Sequence, residues 1–161
     1  MTYVHPKDLT AEAAADASKW AQPFAWRDPK DIPPRRWILR PSLVRGYVSL
    51  TTAGSGVGKS TLLLTEALAT VSGLALLGVA PSEIGRVWYW NGEDPYDEVE
   101  RRVHAALLHH KIPKEKVEGR LFLGSGRDAD FIIGSQTNHG TEINAPLVAA
   151  VEDFIRAHEI G

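Results

Sequence analysis

Hydrophobic and polar positions divide the chain into regimes with different periods. Residues 7–19, "KDLTAEAAADASK", are alanine-rich, with Thr10 placed as a cap and Glu12 and Asp16 on one side, which predicts a short helix with little to bury. Residues 20–42 interleave Pro23, Pro29, Pro33, Pro34 and Pro41 with Trp20, Phe24, Trp26 and Trp37. Prolines at that density interrupt regular elements, so an extended arm is expected whose aromatics pack onto the domain that follows. Within it, "PPRRW" reads as a solvated basic turn.

From Gly46 the pattern changes. "YVSLTT" (47–52) predicts a buried strand, and "KSTLLLTEALATVSG" (59–73) a helix with Leu62, Leu63, Leu64, Ala67, Leu68 and Val71 apolar and Gly73 as its stop. "RVWYWN" (86–91) is apolar without alternation, as a central parallel strand is. "DPYDEVERRVHAALLHHK" (94–111) places Val99, Val103, Ala106 and Leu107 on one helical face. "RLFLGS" (120–125) predicts another strand, residues 126–144 a hairpin through "FII", and "APLVAAVEDFIRAHEIG" (145–161) a final helix with Gly161 as its C-cap. Strands alternating with helices predict an α/β fold, a mostly parallel sheet flanked by helices. A helix after a parallel strand is a crossover that should lead to another strand. The sequence stops at Gly161, so the expected picture is a domain truncated one strand short. The expected division is an arm over 1–42 and the α/β domain over 43–161.

Bulk properties narrow the classes. The 161 residues suffice for one domain with a core, and a net charge of −2 provides no global basic field for nucleic acid. There is no cysteine, which excludes disulfides and thiolate zinc sites. No apolar run reaches the roughly 20 residues of a membrane span. The N-terminus lacks the apolar core of a signal peptide, so a cytoplasmic location is expected.

The stretch between the first predicted strand and helix carries chemistry. "AGSGVGKST" (53–61) fits a phosphate loop with Ala53 in the place of the first glycine. Gly54, Gly56 and Gly58 let the backbone turn its amides inward, together with Ser55 and Val57, at a helix N-terminus that favours anions. Lys59 reaches the β- and γ-phosphates, the Ser60 hydroxyl is the Mg²⁺ ligand, and Thr61 is placed for the α-phosphate. ATP and Mg²⁺ are therefore the expected cofactors. A strand before and a helix after are the context the motif needs.

A second stretch, "WNGEDP" (90–95), follows the second predicted strand. Asp94 as N-cap, Pro95 at N1 and Asp97 at N3 make a strong helix start, so capping accounts for Asp94. Glu93 precedes the cap at the carboxyl end of a parallel strand, the edge where open α/β sheets bind ligands. A carboxylate there can orient a water for attack on the γ-phosphorus, which makes Glu93 and Lys59 the candidate catalytic residues.

These residues resemble a family. "IPPRRWILRPSLVRGYVSLTTAGSGVGKSTLLLTEALA", "GRVWYWNGEDPYDEVERRVHAALLH" and "GRLFLGSGRD" look like the RecA-like AAA ATPases of the plasmid RepA type, hexameric replicative helicases and their mobile-element relatives, over roughly 24–161. The resemblance implies a RecA-like P-loop fold, a catalytic glutamate at Glu93, an arginine stacking on adenine at Arg102, a hexameric ring, and a motor acting on single-stranded DNA in replication. It also implies an Mg²⁺-holding Walker B aspartate at the end of an apolar strand, a sensor residue and an arginine finger. None is found here, since Asp128, Asp130 and Asp153 do not end an apolar strand. The chain is accordingly expected to bind nucleotide and to hydrolyse it weakly or not at all. The alternatives are a nucleotide-dependent switch or accessory ATPase, and a small-molecule P-loop kinase, against which no lid-like arginine-rich insertion is found. His104, His109 and His110 lack metal-ligand spacing, and the last two read as partners of a helix C-terminus. Trp88 and Trp90 share one strand face and read as core.

Overall fold

The computed structural model describes residues 21–138 and 140–161. The helix expected over 7–19 and Trp20 lie outside the described residues. Two units result, Met1–Pro34 and Arg35–Gly161. In the first, among the described residues, a 3₁₀ turn covers Pro29–Asp31, where the Asp28 carboxylate accepts from the Lys30 N–H.

The second unit opens with an antiparallel pair, β1 (Trp37–Leu39) and β2 (Leu43–Val44). β1 falls within residues 20–42, where the proline spacing predicts an extended arm. Leu39 is only 1% exposed and anchors the pair in the core.

Helix α1 (Lys59–Ser72) ends at Gly73, whose left-handed φ of 74° lets its N–H reach the Ala69 carbonyl. Every residue from Leu64 to Ser72 is buried, so α1 is a central helix rather than an amphipathic surface one. Its buried hydroxyls are satisfied within the helix: Thr65 donates to the Thr61 carbonyl and Thr70 to that of Glu66.

Strands β3 (Val87–Asn91) and β4 (Leu121–Ser125) pair in parallel, from Val87 opposite Leu121 to Asn91 opposite Ser125. The crossover between them is α2 (Tyr96–His110). One face of this pair carries Val87, Tyr89, Leu121 and Leu123 against a core of Leu64, Leu68, Val71, Val103, Ile112 and Val117 from α1, α2 and the segment after it. The other carries Trp88 and Phe122, whose rings meet Phe154 of α3 (Ala145–Ala157) at centroid distances of 5.0 and 5.8 Å. Helices α1 and α2 thus lie on one face of this pair and α3 on the other; among the described residues the expected mostly parallel sheet is this one two-stranded pair, the other two sheets being antiparallel pairs. Between β4 and α3 lies an antiparallel hairpin, β5 (Gly134–Thr137) with β6 (Gly140–Ile143), placed just after "FII" rather than through it.

Two further expectations change. Residues 47–52 form no strand; Val48 and Leu50 are 98% and 85% exposed. Among the described residues no strand lies beside this segment, and without a neighbour its backbone groups have no ladder to join. α3 stops at Ala157, so Gly161 is not its cap; the chain turns through Glu159 at φ 50°, and Ile160 bridges in parallel to Arg86. Arg86 holds that turn by donating to the His158 carbonyl and pairing with Glu159. No described helix is long and apolar enough to cross a membrane.

Candidate functional site

The loop over 53–58 leads into α1 with no side chain capping the helix and no acidic residue in its first turn. The opening N–H groups of a helix have no intrahelical partner, so this end offers bare donors and the positive pole of the helix dipole. Gly56 and Gly58 have φ of 75° and 92°, which an L side chain adopts only with strain. Ala53 is not in the left-handed region, so its methyl group is no obstacle to the turn. The Lys59 ammonium folds back over the loop, 3.0 Å from the Ala53 carbonyl and 2.7 Å from that of Gly54. Triphosphate oxygens seated on these amides would compete with the two carbonyls for it. The donor set therefore fits a polyphosphate.

Tyr89 of β3 joins this loop to the sheet, its hydroxyl donating to the Ser60 carbonyl at 3.3 Å. Beside that contact lies a cavity of about 170 Å³ whose lining includes Ser60, Tyr89, Asn91, Gly92 and Glu93. The structure thus brings Ser60 and Glu93, 33 positions apart in sequence, onto one cavity at the carboxyl end of β3. Glu93 is exposed, and among the described residues its carboxylate makes no hydrogen bond or ion pair. Burial raises the Tyr89 phenol above its ordinary value of 10.0; hydrogen bonding to Asn91 and the Arg102 charge oppose this, and Asp94 adds to it.

The turn carrying Glu93 is held by a residue that sequence reasoning passed over. The Asn91 side-chain oxygen accepts from both the Glu93 and Asp94 N–H groups, at 2.8 and 3.0 Å, and its amide nitrogen donates to Asp94 Oδ2 at 3.0 Å. An Asn two residues before the glutamate is an Asx-turn signal, and it was available in "NGE".

Asp94 does not cap α2, which corrects the sequence reading. The helix begins at Tyr96 with Pro95 in the cap position, and it is Asp128, after β4, that accepts the Tyr96 N–H at 2.9 Å. Asp94 pairs with Arg102 at 2.7 Å, while its own carbonyl accepts from the Ser125 hydroxyl. A nearby guanidinium attracts a carboxylate more strongly than a backbone N–H does, and it rotates Asp94 away from the helix end. Arg102 also bonds Glu98 at 3.0 Å, so two carboxylates fix it.

Arg102 reaches the loop from the other side. It lines a second cavity, of about 310 Å³, with Ser60 and Thr61 of α1 and Ala105, Ala106, His109 and His110 of α2. The predicted site residues 53–61, Glu93 and Arg102 thus lie around one loop, with Ser60 shared between both cavities. Among the described residues no group of three or more His, Cys, Asp or Glu could hold a metal ion.

A family model described as an AAA domain matches residues 14–160. No curated protein and no solved structure matches the chain. The chain belongs to the AAA-domain family, the nucleotide-binding ATPases of the P-loop superfamily.

Proposed function

We propose that the protein binds ATP with its triphosphate on residues 53–61 and hydrolyses it through a water positioned by Glu93. One observation carries this reading: Ser60 and Glu93 line the same cavity at the carboxyl end of β3. Gly54, Ser55, Gly56, Val57 and Gly58 supply backbone donors, Lys59 swings from its two carbonyls to the phosphates, and Thr61 bonds the α-phosphate. The Ser60 hydroxyl would hold Mg²⁺, which when bound neutralises charge on the β- and γ-phosphate oxygens. The Glu93 carboxylate, free of other partners, orients the water and takes its proton. A bond forms from the water oxygen to the γ-phosphorus as that to the β–γ bridging oxygen breaks, and the bonding pair leaves on ADP. Arg102, held by Asp94 and Glu98, packs against the base.

The finer reading is a RepA-like helicase-type motor, with hexameric rings of the complete protein acting on single-stranded DNA in replication. It rests on the "NGEDP" segment and its arginine. A second reading, a slow nucleotide-dependent switch, is favoured by one observation: Glu93 is the only carboxylate lining the Ser60 cavity among the described residues. For the same reason the 161-residue chain is proposed to turn over slowly. Phosphate release that rises on adding single-stranded DNA supports the motor, and release indifferent to DNA supports the switch.

Glu93→Gln tests the assignment itself. It should retain ATP affinity in calorimetry and lose turnover by orders of magnitude. Turnover that survives the substitution removes Glu93 from the mechanism.

A further inference from the structure

α1 and α2 face each other across the cavity that contains Arg102. From α2 it is lined by Arg102, Ala105, Ala106, His109 and His110, which fall at i, i+3, i+4, i+7 and i+8 and therefore form one stripe. At 1.5 Å rise per residue the stripe runs about 12 Å along the helix. Small side chains line the middle, Ala105 and Ala106, with Leu64 of α1 opposite them. Polar groups stand at the ends, and the loop's own Ser60 and Thr61 open into it. A cavity with alanine and leucine on its walls, into which the loop's Ser60 and Thr61 open, suits a heteroaromatic ring.

The histidines are not engaged elsewhere. The last carbonyls of α2 are taken by backbone groups: the Lys111 N–H bonds Leu108 O at 3.3 Å and the Ile112 N–H bonds Leu107 O at 2.9 Å. The imidazoles of His109 and His110 sit edge to face, 4.8 Å apart, and neither makes a hydrogen bond among the described residues. A neutral imidazole has one donor and one acceptor nitrogen, the complement of a base edge that carries both.

We propose that His109 and His110 form the base-reading end of the nucleotide site, in a slot between α1 and α2 that takes a nucleobase. This rests on the reading that the phosphates sit on residues 53–61. Arg102 packs against the ring, the alanines admit it, and the imidazoles bond its edge.

The test compares two ligands by calorimetry, ATP and inorganic tripolyphosphate, each with Mg²⁺. Tripolyphosphate meets the loop alone, whereas ATP meets the loop and the slot. The double substitution His109→Ala with His110→Ala should weaken ATP about five- to tenfold and leave tripolyphosphate unchanged. Ala105→Phe, which fills the slot from an exposed position, should do the same. Replacing both histidines with Gln, which keeps a donor and an acceptor, should recover part of the loss. ATP affinity unmoved by the double substitution, or tripolyphosphate falling in parallel with ATP, overturns the proposal. Lys59→Ala separates this from the parent reading: it should weaken both ligands, and if it weakens neither, the phosphate assignment fails instead.

Discussion

Asn91 does the most at the scale of single residues, because one amide group organises both sides of the site. Its oxygen holds the turn that carries Glu93, and its nitrogen steadies Asp94 and through it Arg102. Asn91→Ala should therefore lower kcat more than it raises KM for ATP, since the turn that aims Glu93 loosens while the phosphate loop stays intact; steady-state kinetics measures this split. Tyr89 makes a separate prediction. Burial favours its neutral phenol, so its folded pKa lies above the unfolded 10.0. The contribution is fully present below that pH and is lost as pH rises through the folded value, because the unfolded chain releases the proton first. Denaturant midpoints on either side of pH 10 should show the loss, and Tyr89→Phe should make it shallower.

At the scale of elements, some of the structure was legible in the sequence and some was not. α1, α2, β3 and β4 declare themselves by runs of apolar residues at helical or strand spacing with local stop signals such as Gly73, and each forms where that pattern puts it. Residues 47–52 are as apolar as a strand, but whether they are one depends on a neighbour, which no local pattern encodes. Asp94 has every local mark of a cap, yet a guanidinium eight residues on claims it and Asp128 from beyond β4 caps the helix in its place. The loop residues 53–61 and Glu93 were legible as motifs. That Tyr89, Asn91 and the histidines gather around them was not, since the parallel crossover brings them there. Two element-scale predictions follow from these contacts. Asp128→Ala should destabilise by about 1 kcal/mol, the usual worth of a cap, and speed amide exchange at Tyr96. A Cβ at Gly124 would lie 2.6 Å from Trp90 Cδ1, so Gly124→Ala should force the indole aside and cost about 1–3 kcal/mol in urea denaturation.

At the scale of the whole molecule, the α/β/α layering of the second unit sets the phosphate loop and the β3 edge side by side, so that binding and water positioning share one end of the sheet. The same unit leaves Val48 and Leu50 exposed and has an apolar cleft of about 370 Å³ beside Val87–Trp90. Exposed apolar surface of this kind promotes association. Val48→Lys with Leu50→Lys should reduce light scattering on concentration without changing ATP affinity, because neither residue lines the cavities around Ser60. A ligand that binds only the folded state stabilises it by about 2.7 kcal/mol at a concentration one hundred times its Kd. The central claim, that residues 53–61 hold the phosphates of ATP, is tested most directly by thermal unfolding with and without Mg·ATP in the unaltered chain and in Lys59→Ala. The account predicts a rise in Tm of several degrees that Lys59→Ala abolishes; an equal rise in both chains, or none in either, contradicts it.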